Sequence, residues 1–139
     1  MATARNSVEY TKLYVNKYLG GPADMGGRVY PLTCTYVTVT EVVTDTVNLV
    51  VLPANWTLVG MDLYHDAATS TAVIIGDSGS ANRYMASVTW AAAGTVSALA
   101  GTGQNYKPTA DTVIFLTWVT TNPGVGVNIK GVFWAIPGA

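Results

Sequence analysis

Short runs in which apolar and polar residues alternate fill the chain from residue 28 to its end. A period of two places successive side chains on opposite faces of an extended strand, so this alternation predicts half-buried β-strands. Within the third run, Val59, Met61 and Leu63 are predicted to share the buried face. The predicted strands cover residues 28–40, 46–52, 57–63, 71–75, 82–90, 112–120 and 126–136.

The pattern is weak between residues 91 and 103, where alanine, glycine, threonine and serine dominate. We expect one strand with long loops in this stretch. A helix is the alternative, and Gly94, Gly101 and Gly103 would limit its length. The chain is therefore predicted to contain seven or eight short strands.

Turn signals separate the strands at the spacing of roughly 8–12 residues that is typical of sandwiches and barrels. Pro53 fixes φ and Asn55 tolerates a left-handed backbone, so together they predict a turn; Gly124, which follows an Asn-Pro pair, predicts another. Pro31 has no N–H for a sheet ladder and predicts an edge or a bend. Without a βαβ rhythm or an internal repeat, the pattern indicates an all-β fold, an antiparallel, jelly-roll-like β-sandwich over residues 28–139.

Residues 1–27 differ from this pattern and are predicted to form an extended N-terminal arm, joined to the sandwich by a glycine-rich hinge. Tyr10, Tyr14 and Tyr18 share one face of a helix, but as even-numbered residues they also share one face of a strand. Both conformations therefore stay open. Fully extended, the arm spans up to about 90 Å, whereas a domain of the remaining size is only about 35 Å across. An arm of this length can cross a neighbouring subunit.

Charged residues make up only 11% of the chain, against about 25% in an ordinary soluble domain. So few charges leave large uncharged surfaces, which usually meet a partner, and this favours an assembly subunit over a free enzyme. The net charge of −1 provides no general attraction to nucleic acid, so no nucleic-acid partner is predicted. Residues 1–28 carry a net charge of +2 and the remainder −3, which suits either docking on an acidic surface or a solvated tail.

Cys34 is the only cysteine, so no internal disulfide is possible, and its place in a strand predicts a buried small side chain rather than a reactive thiol. No apolar run approaches the roughly 20 residues of a membrane helix. The first residues also lack the apolar core of a secretion signal. We therefore expect a protein that is made in a cytoplasm and has no membrane partner.

The Gly-Asp-Ser-Gly loop at residues 76–79 is similar to the nucleophile loop of chymotrypsin-like serine proteases, but the rest of such a site is missing. His65, the only histidine, lies 13 residues before Ser78, and the chain is too short for that two-barrel fold. Asp77 and Ser78 are instead predicted to bond the local backbone. Arg83 stands in a nearly uncharged stretch, and we expect it to pair with Asp77 and fix the turn, a structural role.

No metal or cofactor site is predicted. His65, Asp62 and Asp66 offer one imidazole without a cysteine cluster, which is a poor set of ligands for a transition metal. The loop after residue 76 lacks the closely spaced carboxylates of a calcium site. A hydrolase that uses His65 and Asp66 is accordingly disfavoured. The four tryptophans are dispersed along apolar runs, which favours packing in the core over stacking on sugars or bases.

Short motifs in the central region carry a resemblance to a known family. Leu52-Pro53-Ala54 follows a strand, and Ile75-Gly76-Asp77 and Asn82-Arg83-Tyr84 flank a later turn. Together with Gly26-Gly27-Arg28-Val29 and a late aromatic-rich strand, they resemble the capsid decoration (cement) proteins of tailed bacteriophages. The resemblance covers about residues 26–136. It implies a β-sandwich bound as a dimer or trimer to the outside of an icosahedral head.

The resemblance further implies a non-enzymatic virion protein whose partner is the phage major capsid protein and which reinforces contacts between capsomers. Self-association is expected, with a dimer favoured over a trimer. The long arm is less typical of the family, so its role follows from composition: it is predicted to contact the capsid or a sister subunit. The residues predicted to make this contact are Arg5, Tyr10, Lys12, Tyr14, Lys17 and Tyr18. The alternative function is a tail- or fibre-associated module whose aromatic side chains hold a host glycan.

Overall fold

The computed structural model describes residues 29–97, 99–104 and 106–138. These residues form eight β-strands and one helical turn: β1 (Tyr30–Val37), β2 (Thr46–Leu52), β3 (Thr57–His65), β4 (Ala72–Asp77), β5 (Ser80–Thr89), β6 (Gly94–Val96), α1 (Gly101–Gln104), β7 (Thr112–Trp118) and β8 (Asn128–Ile136). Among them no helix has the length and apolar character needed to cross a membrane. The predicted arm, residues 1–27, lies outside the described residues.

The strands build two four-stranded antiparallel sheets. The first sheet has the order β1-β8-β3-β6 and the second has the order β2-β7-β4-β5. Strands β4 and β5 form a hairpin, and outward from it β3 pairs with β6, β2 with β7 and β1 with β8. The chain is thus a long hairpin of four strand pairs, rolled so that successive pairs fall in alternate sheets, which is a jelly roll. The predicted all-β, jelly-roll-like sandwich is confirmed.

The core lies between the two sheets and contains the largest aromatic side chains. Trp56, Trp90 and Trp118 are at most 1% exposed, as their apolar surroundings in the sequence predict. Trp90 and Trp118 meet edge to face, with ring centroids 5.7 Å apart. Each fully buried large apolar side chain contributes about 1.5–3 kcal/mol by leaving water, so this layer holds the sheets together. Trp134 differs, because it lies on the opposite face of β8 from the buried Phe133 and is 37% exposed.

Strand β3 departs from the predicted alternation. A bulge between Leu58 and Gly60 shifts its register against β8, so that Val59 is 42% exposed while Leu58 is fully buried. The prediction that Val59 shares the buried face with Met61 and Leu63 is therefore wrong, although the latter two are buried. One extra residue in a strand moves the side chains on one side of the bulge to the opposite face of the sheet. The alternation of apolar and polar residues does not show where such a bulge lies.

Most strands differ by a few residues from the predicted ranges, and β1 is shorter than predicted at both ends. Strand β5 begins at Ser80 rather than at residue 82, which leaves a tight turn after β4. Among the described residues of the weakly patterned stretch 91–103, the only strand is the three-residue β6, which pairs with the end of β3. The helix that the sequence allows as an alternative there amounts to the single turn α1. Both elements are short because small side chains offer little apolar surface to bury.

Asn55 and Gly124, which have a positive φ, lie at turns and Pro31 lies at an edge, as their backbone chemistry predicts. Asn55 has a φ of 67° and Gly124 a φ of 89°, so both predicted turns use a left-handed residue. Pro31 lies in β1, the edge strand of the first sheet, in agreement with the edge that its missing N–H predicts. The first strand of the described residues is therefore an edge strand and not a central one.

Candidate functional site

A buried carboxylate organises the turn between β4 and β5. Asp77 is only 2% exposed, and both of its oxygens accept hydrogen bonds. The N–H groups of Gly79 and Ser80 donate to Oδ1 at 2.9 and 3.0 Å. Arg83 Nε donates to Oδ2 at 2.8 Å, and the Tyr84 hydroxyl donates to the same oxygen at 3.2 Å. The structure thus brings Asp77 and Arg83 into contact, while the stabilising role of this pair stays a prediction.

The same cluster connects β5 to the segment around α1. The guanidinium carbon of Arg83 lies 3.6 Å from the centroid of the Tyr106 ring, which is a cation–π contact. The Thr102 hydroxyl donates to the Arg83 carbonyl at 2.7 Å, and the Ala100 N–H donates to the Tyr84 carbonyl at 2.8 Å. Tyr84 is part of the Asn82-Arg83-Tyr84 motif seen in the sequence, but no bond from it to Asp77 is predicted there. The contact of Tyr106 is missed, because that residue lies far along the chain in a stretch without a strong pattern.

The surroundings of Asp77 favour its charged form. Burial by itself raises the pKa of this carboxyl, but the hydrogen bonds from Arg83, Gly79 and Ser80 outweigh burial, so the pKa lies below its usual value. Burial raises the pKa of Tyr84, and the adjacent negative charge of Asp77 raises it further. At neutral pH the cluster is therefore an ion pair beside a protonated tyrosine, which suits a structural role rather than proton transfer.

His65 is packed into the core rather than presented to a substrate. It is 2% exposed, and its ring stacks on Trp90 with the centroids 3.9 Å apart and an angle of 6° between the planes. Its Nδ1 lies 3.2 Å from the Ala67 carbonyl oxygen. Ser78 is exposed at the β4–β5 turn of the other sheet. Within the described ranges, no three His, Cys, Asp or Glu side chains cluster as metal ligands.

We use the term outer face for the side of β1, β8, β3 and β6 that points away from the core. Trp134 and Tyr64 stand on it, 37% and 42% exposed. Asp62 lies between their rows and accepts hydrogen bonds from the Ser97 hydroxyl at 2.6 Å and from Trp134 Nε1 at 3.3 Å. These two bonds lower the pKa of the Asp62 carboxyl. Lys130 pairs in register with Tyr64 and makes no ion pair with any described carboxylate.

A shallow groove of about 390 Å³ crosses the outer face. It combines an aromatic ring, threonine hydroxyls, one cation and one anion, a mixture that suits an extended peptide or a sugar better than a reactive small molecule. Cys34 borders the groove, but burial raises the pKa of its thiol to about 11, so the sulfur is protonated at neutral pH. The groove is lined in part by Thr33, Thr35, Asp62, Tyr64, Thr95 and Lys130.

The second sheet is almost free of charge. Asp77 and Arg83 are the only charged residues in β2, β4, β5 and β7, and they pair with each other at one end of the hairpin. Phe115 faces outward between the fully buried Ile114 and Leu116, and it is half-buried. A sheet surface with so few charges is of the kind that usually meets a partner, and that role stays a prediction.

The six arm residues that the sequence assigns to capsid or subunit contact lie outside the described residues, so their roles stay predictions. They are Arg5, Tyr10, Lys12, Tyr14, Lys17 and Tyr18. The groove could not be predicted from the sequence, because its lining comes from four strands that are distant along the chain. Parity places Trp134 on the opposite face of β8 from Phe133, which is a signal for the outer face but not for the groove.

Comparison with known proteins gives matches among solved structures. No family profile matches the sequence, and no curated protein matches it. A chain of the cyanophage Pam1 capsid asymmetric unit is 24% identical with a TM-score of 0.65, over 81% of this chain and 87% of that one. A chain of the capsid of Ralstonia phage GP4 is 21% identical with a TM-score of 0.68, over 86% and 90%.

A third match is to a chain of the acidic stable capsid of Helicobacter pylori bacteriophage KHP30. It is 14% identical with a TM-score of 0.58, over 81% of this chain and 91% of that one. Because each match spans most of both chains, the likeness extends over the sandwich and is not confined to one hairpin. At these identities it establishes a shared fold.

Proposed function

We propose that this protein is a structural component of a bacteriophage virion. It binds the outside of the head and reinforces contacts between copies of the major capsid protein, through its N-terminal arm and through self-association. The observation that carries the proposal is the likeness to chains of three phage capsids, over at least 81% of every chain compared. The short motifs that resemble decoration proteins support the outer position.

The physical character of the described surfaces supports a role based on contact. The outer face carries exposed Trp134 and Tyr64 with few charges, and the second sheet carries a single ion pair. Such surfaces lose little polar hydration when they meet a partner. On a lattice of identical sites, several modest contacts act together, so each one can be weak while the assembly is tight.

Binding to heads that lack decoration tests this proposal. Purified protein is mixed with such heads, and the bound fraction is measured by sedimentation over a range of protein concentrations. We expect saturable co-sedimentation and, by cryo-electron microscopy, added density on the outer surface at repeated positions. Heads that sediment without the protein, or density confined to the tail, would contradict the proposal.

The arm is tested by deleting residues 1–27. The sandwich is expected to keep its thermal unfolding transition, because the described core lies entirely after residue 28, while binding to heads weakens. A full-length control in which Tyr10, Tyr14 and Tyr18 become serine keeps the length and charge of the arm and separates aromatic contact from reach. If the truncated protein sediments with heads as well as the full chain does, the arm has no part in binding.

A second candidate function is recognition of a glycan by a tail- or fibre-associated protein. The observation that favours it is the groove on the outer face, which Tyr64, Asp62 and Lys130 help to line. Trp134 is exposed on the same face and donates a hydrogen bond to Asp62, although it does not line the groove itself. Aromatic rings beside polar groups suit the apolar faces and hydroxyls of sugars. A glycan array with the wild type and Trp134→Ala tests it: reproducible hits that the substitution abolishes would favour this function, and an empty array would remove it.

A further inference from the structure

The edge strand β1 offers a row of backbone groups to a partner. All eight of its residues pair with β8, and the sheet order leaves its other side without a neighbouring strand among the described residues. Pro31 has no N–H to donate to β8, so the backbone groups of residues with its parity are the ones that point away from β8. In an antiparallel strand, residues of one parity direct both N–H and C=O to the same side. Thr33, Thr35 and Val37 therefore present these groups outward.

Among the described residues, the free side of β1 lacks the usual protection of an edge. Natural edge strands carry charges or are covered by other segments, because an open edge is a template for pairing. β1 contains no charged residue, and Thr33, Thr35 and Val37 are exposed. The edge strand β5 is covered instead, since the carbonyls of Arg83 and Tyr84 accept bonds from the segment around α1. The edge strand β2 has five of its seven residues buried and is less accessible.

We propose that residues 8–18 of a second copy of this chain add to β1 as an antiparallel strand. This proposal rests on the self-association included in the proposed function and names its site. The segment places Tyr10, Lys12, Tyr14, Asn16 and Tyr18 on one parity, as a strand requires. The arm of the same chain would need residues 19–29 as an eleven-residue loop to return along β1, whereas hairpin loops usually have 2–5 residues.

The charges of the two segments and the symmetry of a dimer support pairing between the arm of one copy and β1 of the other. In the antiparallel orientation, the basic start of the arm with Arg5 lies towards the end of β1, where Glu41 and Asp45 follow. Neither carboxylate has a cationic partner among the described residues; Glu41 accepts a bond from the Tyr36 hydroxyl at 3.0 Å. Two copies that exchange arms make the same contact twice about a twofold axis, so the interface closes as a dimer.

The test removes one outward N–H without touching the ladder to β8. Thr35→Pro deletes the donor at a position with the same parity as Pro31, and Thr35→Val is the matched control that keeps the N–H. In sedimentation of the full-length chain without heads, we expect Thr35→Pro to weaken dimerisation by about tenfold or more, and Thr35→Val to leave it nearly unchanged. Dimerisation of Thr35→Pro as strong as that of the wild type overturns the proposal and leaves self-association standing; a wild type that stays monomeric overturns both.

Amide hydrogen exchange gives a second readout that does not depend on how the proline variant folds. The amides of Thr33, Thr35 and Val37 should exchange more slowly in concentrated than in dilute wild-type protein, because a strand from another molecule protects them. Tyr14→Pro, placed in the arm, should remove this protection. Protection that does not vary with concentration would point to the arm of the same chain and overturn the exchange between copies.

Discussion

The hydrogen bonds around Asp77 predict that this carboxylate and Arg83 stabilise the fold as a coupled pair. Asp77→Asn keeps an oxygen for the N–H groups of Gly79 and Ser80 but replaces the other oxygen with an amide that faces two donors, Arg83 Nε and the Tyr84 hydroxyl. Breaking a buried charged pair costs about 3–5 kcal/mol. Because the Arg83 side chain is 18% exposed, we expect a loss of about 2–4 kcal/mol in the free energy of unfolding.

A double-mutant cycle isolates the contribution of the pair. Arg83→Met removes the guanidinium and leaves Asp77 with its other donors, and the double variant lacks both partners. We expect the double variant to be less destabilised than the sum of the single variants by about 1–2 kcal/mol, because the second change removes a bond that the first has already broken. Urea unfolding followed by tryptophan fluorescence measures each free energy.

The result that refutes this reasoning is additivity. A coupling energy below about 0.5 kcal/mol would mean that the two side chains act independently despite the 2.8 Å bond between them. Asp62→Asn combined with Arg83→Met is the control cycle, since Asp62 lies on the other sheet and bonds Ser97 and Trp134. That control pair is expected to be additive. Arg83→Lys should recover only part of the stability, because lysine lacks the fork that holds both carboxylate oxygens.

Three further outcomes are expected. The pKa of Asp77 in the folded protein is below the roughly 3.9 of an unfolded aspartate, so the ionised carboxylate stabilises the fold fully above that value and loses this effect as the pH falls through the folded pKa. The difference in the free energy of unfolding between wild type and Asp77→Asn should therefore hold from about pH 7 to 5 and shrink below about pH 4. A difference that grows in acid would contradict this. Gly103→Ala should lose about 1–3 kcal/mol in urea titrations, because a Cβ there would lie 2.5 Å from Tyr84 Cδ1, whereas Gly101→Ala, with nothing within 4 Å, should be nearly neutral. The Cys34 thiol should resist a disulfide reagent at about pH 8 until the chain is unfolded, and rapid labelling of folded protein would count against its burial.

The existence of the strands could be predicted from the sequence, because a strand with one buried face alternates apolar and polar side chains. The same holds for the turn at Asn55 and for the edge at Pro31, where the local backbone chemistry leaves few choices. The bulge in β3 could not be predicted. It is fixed by how Leu58 and Gly60 meet β8, and pairing with a distant strand is invisible in a local pattern.

For the surfaces too, contacts between residues close in sequence could be predicted, and contacts between distant segments could not. The ion pair of Asp77 and Arg83 could be predicted because both residues lie on one hairpin, so sequence separation and spatial separation agree. The contact of Arg83 with Tyr106 and the groove beside Lys130 depend on strands and loops that only the rolled topology brings together. Contacts between segments that are distant along the chain leave no pattern in the sequence of either segment.

The jelly-roll order explains how such a chain can carry an N-terminal extension without disturbing its core. Among the described residues β1 pairs only with β8 and forms an edge of the first sheet, so the described chain enters the sandwich at an edge and not at the centre of a sheet. An extension at an edge can change in length and sequence while the two-sheet core is kept, because few core contacts depend on it. The fold that this chain shares with chains of phage capsids therefore lies in the sandwich, and contacts particular to this protein are expected in the arm and on the free side of β1. Substitutions on that edge should accordingly change association far more than they change the unfolding of the sandwich.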